Sequence, residues 1–428
     1  MRLRAALSLP ALLSVTVSAM AADPMPRVAP DTVGLSAARL ERIGEVLKAD
    51  VDRGRLPGAV IAIARRGKLA YFEAFGFRDK TANVPMTTDT IFSIASMTKP
   101  MTSVAALMLY EESRLLLNDP VGKYLPPVAN MQVAALTDEN RKGEGAIATV
   151  PPRRPMTIQD LLRHTSGLTY GGRGTTAVHK AYPASSNSSA ATLTSAEFIT
   201  KLGTLPLLYQ PGSAWDYSLS VDVLGLVVEA ISEQTLGAFL QERIWKPLGM
   251  VDTGFVVPPG KVSRYARALP NNPDTGRPQP MKDSTAPDKF ECGGGCAVST
   301  VGDYIRFGQM LLNKGEFGGA RILSRKMVEL MTANHLGPEI ANNIPAVSAV
   351  LAGYGFGLGV AVRTETGITP LAGSAGDFTW GGAFGTSFWV DPKEQLVVVY
   401  MAHNPGSVAI RNHYRQAISA LVYQALVD

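Results

Sequence analysis

Residues 91–117 read IFSIASMTKPMTSVAALMLYEESRLLL. The stretch opens as a strand end and a turn and continues as a helix, with Ser96 and Lys99 in its first turn. Met97, Met101, Val104, Met108 and Leu115 recur at helical spacing, with Ala95, Ala105 and Ala106 as small partners. A helix this apolar belongs in a core, where the ammonium of Lys99 must find partners or lose its proton. Ser96 and Lys99 stand three residues apart and share one helical face. A hydroxyl held against such an amine is an activated nucleophile, and free N–H groups at the helix start suit a developing oxyanion. The bland alternative is Ser96 as a helix cap and Lys99 as a solvated first-turn residue.

Working outward, the chain begins MRLRAALSLPALLSVTVSAMAADP. Two arginines, an apolar run and small residues at Ala19 and Ala21 read as a secretory signal over residues 1–21, cleaved after Ala21. A membrane anchor fits less well, because the run is short, carries Pro10 and lacks a stop-transfer pattern. The mature chain is therefore expected to be periplasmic or secreted, with no membrane anchor. Roughly 400 residues remain, enough for a large core. A hydrophobic share of 46% against 18% charged residues excludes a disordered chain. The net charge of +5 is small and scattered, which excludes nucleic acid as a partner. Cys292 and Cys296 flank three glycines; an oxidising compartment favours a disulfide between them over two free packed thiols. Two sulfurs without a nearby histidine do not make a zinc site, and no metal is expected.

In chain order, Ser36 opens a helix to about Ala49, and Ala59–Ala64 with the run from Lys68 forms a hairpin turning at Arg66-Gly67. The first of these strands is continuously apolar, as in a sheet covered on both faces. Residues 128–155 read as irregular. Thr157 and Asp160 cap a short helix that Gly167 is expected to stop. The segment 170–195, rich in Gly, Ala, Ser and Thr, reads as mobile, either a substrate-binding wall or a surface excursion. Helices follow from Ser218, Leu236, Thr300 and Ser324. The end returns to strands at Tyr354–Arg363, Ala383–Val390 and Gln395–Ala402, and a last helix runs from Val408 to Leu426. The organisation expected is a sheet domain from residues 22–117 and 300–428 with a mainly helical inserted domain, residues 118–299.

Beside Ser96 and Lys99, which form the only Ser-x-x-Lys pair in the chain, two further places could carry chemistry. Tyr217 lies at a loop-to-helix junction in PGSAWDYSLSVDVLG. Its phenol is either a proton shuttle beside a cation or a partly buried hydroxyl with an ordinary partner. Trp380-Gly381-Gly382 precedes a strand, where glycines let a ligand approach backbone, and the N–H of Ala383 could pair with that of Ser96 as an oxyanion hole. A plain turn is the alternative.

The blocks SMTKP, LLRHTSGL, PG-x-x-W-x-YS, GGGCAVST and WGGAFGTSFWVDP, in this order, resemble those of serine hydrolases related to class C β-lactamases and D-Ala-D-Ala peptidases. The closest resemblance is to the family VIII carboxylesterases, and it spans nearly the whole mature chain. It implies an α/β plus all-α architecture, β-lactamase/transpeptidase-like, with an antiparallel sheet from the N- and C-terminal parts flanked by helices. It further implies that Ser96 is the nucleophile, Lys99 its partner base, Tyr217 a second proton carrier, and the N–H groups of Ser96 and Ala383 the oxyanion hole. Trp380, Gly381 and Gly382 would bind substrate, a small-molecule ester, with no cofactor.

Two departures bear on substrate. Leu219 stands where β-lactamases of this kind carry asparagine, and Trp380-Gly381-Gly382 stands where they carry Lys-Thr-Gly. Loss of that lysine removes a cation for a substrate carboxylate, so neutral esters of short to medium acyl length are expected. A β-lactamase, a D-amino-acid peptidase or amidase, and a non-catalytic penicillin-recognising protein remain as other readings. A Gly-x-Ser-x-Gly elbow is absent, and none of the five histidines has an evident serine partner.

Overall fold

The computed structural model describes residues 23–428, so the secretory signal expected over residues 1–21 lies outside the described residues. Eight strands form the main sheet: β1 (Gly58–Arg65), β2 (Lys68–Asp79), β3 (Val84–Pro85), β4 (Tyr354–Phe356), β5 (Ala361–Arg363), β6 (Phe378–Gly381), β7 (Ser387–Asp391) and β8 (Leu396–Ala402). Their spatial order is β4-β5-β6-β7-β8-β1-β2-β3, antiparallel throughout. In the central pair Ala59 lies opposite Ala402 and Arg65 opposite Leu396. The sheet is thus drawn from the two ends of the chain, as the sequence implies.

The five long helices are α1 (Ala37–Asp52), α2 (Thr98–Glu111), α3 (Ser220–Ser232), α4 (Val301–Leu312) and α5 (Val408–Tyr423); α3 packs on α2 and not on the sheet. Side-chain alternation along β1 and β8 divides the core in two. Ile61, Ile63, Val398 and Tyr400 meet α1 and α5 through Leu40, Ile43 and Ile418. Val60, Ala62, Val397 and Val399 belong to the larger cluster on the other face, with Met101 and Val104 of α2 and Ile305 of α4. All eight residues of β1 are buried, which explains its unbroken apolar run. Each Val, Leu or Ile buried in this way contributes about 1.5–3 kcal/mol, more than an exposed ion pair gives.

Several expectations are corrected. Tyr354–Arg363 is two short strands, β4 and β5. Ala383 lies not at the head of a strand but in the turn between β6 and β7. The helix after Thr157 has its capping box with Asp160, but it ends at Leu162; His164, at φ +58°, turns the chain before Gly167 is reached. Residues 128–155 contain a capped helix, Asp138–Arg141, and a strand pair, Val133–Ala134 with Thr149–Val150. Segment 170–195 is built into the molecule, because Gly171 N–H donates to Pro183 O at 2.8 Å and Ser186 is buried with two hydrogen-bonded partners. Its small polar side chains look like loop in sequence, while the tertiary hydrogen bonds that hold it carry no periodic signal. Cys292 and Cys296 form a disulfide with Cα atoms 5.3 Å apart.

His403, fully buried at the end of β8, donates from Nδ1 to Ala266 O at 2.9 Å and accepts the Ser93 N–H at Nε2 at 2.8 Å. Burial pushes its pKa down from 6.5 to about 4. The unfolded chain therefore takes up this proton first, so the stability from His403 is complete above pH 6.5 and is lost as pH falls towards 4, by up to roughly 3 kcal/mol. Denaturant unfolding at pH 7 and pH 4 checks this; the His403→Gln protein should lose less stability over that interval than the unaltered one.

Candidate active site

Ser96 sits in a single tight turn, Ala95–Met97, immediately ahead of α2, whose first turn carries Lys99. Ala95 has φ +44°, a left-handed conformation that costs a non-glycine residue about 1 kcal/mol or more. The surroundings hold it there. Phe92–Ser93 pairs with Val298–Ser299, Ile94 N–H donates to Ala297 O at 3.0 Å, and Thr98 Oγ1 donates to Ala95 O at 2.7 Å. Tyr304 OH donates to Met97 O at 2.8 Å. Ser96 is left half-buried in a cleft that Tyr217, Trp380, Gly381, Gly382 and Ala383 also line.

Lys99 is 1% exposed, so the bland reading of a solvated lysine fails. Its Nζ lies 3.5 Å from Ser96 Oγ and donates to Gly294 O at 2.5 Å and to Tyr170 OH at 3.1 Å. Behind it runs a one-way donor chain. Tyr170 OH and Ser186 Oγ are 2.7 Å apart, and Ser186 Oγ donates to Asp222 Oδ2 at 2.7 Å. Asp222 Oδ1 accepts the Gly294 N–H at 3.0 Å, so one carboxylate anchors both partners of the lysine. Burial pushes the Asp222 carboxyl up, against the lowering influence of Lys99, Ser186 and the Gly294 N–H. Burial, with Asp222 and Tyr217 nearby, holds the Tyr170 phenol well above its usual range, which keeps its proton in the chain.

Tyr217 is brought to the same place in a different manner from that expected. Lys99 Nζ lies over its ring, 4.6 Å from the centre, and the hydroxyl's one hydrogen bond among the described residues comes from Trp380 Nε1 at 3.3 Å. Trp215 stacks on the ring and His164 packs at 4.9 Å, which fixes the phenol at the cleft wall. The tyrosine bonded to Lys99 is Tyr170, not Tyr217. His164 is fully buried with Nδ1 3.3 Å from Ser218 Oγ, so it does have a serine neighbour, but that serine is itself buried away from the cleft.

The β6–β7 turn reaches Ser96 because Gly382 has no side chain: a Cβ there would meet the Ile94 carbonyl. Thr386 Oγ1 donates to that same carbonyl at 3.2 Å. The Ala383 N–H has no acceptor among the described residues, as an oxyanion donor requires.

Trp380 occupies the place read as lost to cation binding, and its indole serves Tyr217. The cleft nevertheless is cationic. Arg173, Arg411 and Arg415 line it, the last two one turn apart on α5. The sequence reading weighed only the lysine that Trp380 stands in place of, and these arginines come from other elements. Among the described residues no cluster of three or more His, Cys, Asp and Glu side chains is arranged to hold a metal.

The family model described as beta-lactamase matches residues 43–421. The chain belongs to the β-lactamase family. An uncharacterised protein of Mycobacterium tuberculosis is 38% identical over 356 residues, covering 82% of this chain and 86% of its own. Esterase EstB of Burkholderia gladioli is 31% identical over 407 residues, covering 90% of this chain and 97% of its own. Among solved structures, EstCE1, described as a hydrolase with promiscuous acyltransferase activity, superposes with a TM-score of 0.72 at 27% identity, over 90% of this chain and 98% of that one. This β-lactamase-family protein has the fold of its group and is a serine hydrolase.

Sequence reasoning passed over Tyr170, Ser186, Asp222 and Gly294. Asp222 was the visible signal, a lone carboxylate inside SVDVLGLVV, where an unpaired charge could not be buried. Asp222→Asn should lower kcat by about 10–100-fold. Steady-state kinetics on a variant shown by thermal melting to be folded check this.

Proposed function

We propose that this hydrolase is a carboxylesterase that works through an acyl-enzyme on Ser96. The observation that carries the reading is the 3.5 Å approach of the buried Lys99 Nζ to Ser96 Oγ at the floor of an open cleft. A neutral Lys99 amine has two N–H groups and one lone pair. In that form Tyr170 OH and Gly294 O would take the hydrogens and the lone pair would be left for Ser96 Oγ, the third of its three neighbours. Lys99 then accepts the Ser96 proton as Oγ attacks the ester carbonyl. The N–H groups of Ser96 and Ala383 receive the carbonyl oxygen as its charge grows.

Collapse of the tetrahedral adduct expels the alkoxide, which takes its proton from Lys99, with Tyr217 as the second carrier at the cleft wall. Water enters, gives its proton to the same groups, and releases the acid. Tyr170, Ser186 and Asp222 orient the amine throughout. EstB of Burkholderia gladioli and a lovastatin esterase of Penicillium rubens, 29% identical over 379 residues, lend ester hydrolysis as the chemistry. Export is part of the proposal, supported by the apolar leader with its Ala-rich end and by the disulfide.

Hydrolysis of p-nitrophenyl butyrate and of nitrocefin separates the esterase from a β-lactamase; kcat/KM should favour the ester. Ser96→Ala should lower esterase kcat by at least about 10³-fold and abolish labelling by a fluorophosphonate. Labelling absent in the unaltered protein points instead to a non-catalytic binding protein.

A further inference from the structure

Cys292 and Cys296 are the chain's two cysteines, and their disulfide brackets the shortest hydrogen bond that Lys99 makes. The loop between them is fastened along the first turns of α2. Gly293 O accepts from Thr102 Oγ1 at 2.9 Å and Gly294 O from Lys99 Nζ at 2.5 Å; just past the loop, Ala297 N–H donates to Thr98 Oγ1 at 3.1 Å. On its other side Gly294 N–H meets Asp222 Oδ1 at 3.0 Å. Gly294 therefore stands between the lysine and the carboxylate behind it.

Only glycine fits so closely. A Cβ at Gly293 would meet Thr102 Cγ2 and Val221 O at 2.9 Å, and one at Gly294 would collide with the Asp222 carboxylate. Glycine brings the carbonyl within reach of the amine, but it also has the widest choice of backbone conformation of any residue. Within the loop the backbone adds Gly295 N–H and Cys296 N–H, both donating to Cys292 O, at 3.1 and 3.2 Å. Neither bond fixes the Gly294 carbonyl. The disulfide closes the ring with Cα atoms 5.3 Å apart and removes the freedom that the glycines introduce. Global stability is a weak reason for a cross-link here, because the entropy taken from the unfolded chain grows with loop length and these cysteines stand only 4 positions apart.

We propose that the Cys292–Cys296 disulfide is a positioning element of the catalytic lysine: it holds Gly294 O where Lys99 Nζ stays 3.5 Å from Ser96 Oγ, so that turnover depends on the thiol–disulfide state of the loop. The proposal rests on the esterase reading and adds redox control of the same site. A dithiol such as dithiothreitol supplies two electrons and two protons; the S–S bond becomes two thiols, and the reductant leaves as its cyclic disulfide. Glutathione disulfide reverses the step and leaves as two molecules of glutathione.

The test is hydrolysis of p-nitrophenyl butyrate by the unaltered protein before and after dithiothreitol, and by the protein carrying both Cys292→Ser and Cys296→Ser. Thiol alkylation followed by mass measurement reads the state of the disulfide, and a fluorophosphonate carried to completion counts the competent Ser96 in each sample. Per competent site, the reduced protein and the double variant should lose about tenfold or more in kcat and in the rate of labelling, with KM held within about twofold. Glutathione disulfide should restore the reduced protein and leave the variant unchanged. A cross-link that acts through stability alone would instead lower the melting temperature and the number of competent sites while kcat per site stays the same, and that result overturns the proposal. So does a reduced protein with full kcat, or a loss that glutathione disulfide does not reverse. Both cysteines are buried, so reduction is followed to its endpoint. A disulfide that no dithiol opens in the folded protein, together with a double variant that does not fold, is a folding staple and likewise overturns the proposal. Failure of the esterase reading is distinct: the oxidised, unaltered protein then hydrolyses no ester and Ser96 takes no fluorophosphonate.

Discussion

A lysine ammonium or amine without water must have every hydrogen directed at an acceptor, and Lys99 sets that condition for the rest of the structure. Its acceptors come from places far apart in the chain. Gly294 O belongs to a glycine turn closed by a disulfide, and Tyr170 to a segment with little secondary structure of its own. Asp222, on α3, then holds the backbone N–H of the first and, through Ser186, the hydroxyl of the second. Removing one member leaves a buried polar group without a partner, which costs about 1–3 kcal/mol or more. The polar network is therefore as much a packing constraint as the apolar core around it.

The sheet contributes a different constraint, that of backbone proximity. Ser96 is set by a two-residue strand pair and a strained alanine, while the opposing wall is a hairpin turn that approaches only where glycine allows. Neither wall belongs to a long element, yet each is attached to one: α2 begins at Thr98, and β6 and β7 pair in register from Phe378 opposite Val390 to Gly381 opposite Ser387. Short, adjustable segments on rigid supports place the reacting groups, as is general for sites that must be positioned finely.

How far sequence could reach follows from the kind of interaction concerned. Unbroken apolar runs marked β1 and β8 and apolar periodicity marked α3, α4 and α5, because burial is a property of side chains in fixed patterns. Ser-x-x-Lys and the tyrosine at the α3 junction were legible as local spacing. The partner of Lys99 was not, since Tyr170 is 71 residues away in sequence and shares the amine with the ring of Tyr217. The cationic lining was missed for a related reason: Arg411 and Arg415 sit in a helix read for its apolar face, and only the closed fold turns their heads into the cleft. Trp380 marked the loss of one charge in a strand but could not report a replacement from elsewhere.

The central pairing of β1 with β8 joins residues separated by more than three hundred positions. Closing so long a loop has a large entropic cost that local contacts do not offset, which places this molecule among slow-folding, high contact-order topologies. Until the final strand, β8, emerges from the ribosome, β1 has an open hydrogen-bonding edge and the β6–β7 hairpin that carries the second wall has nothing to join it to β1. A nascent chain of this design is inert towards substrate until synthesis is almost complete.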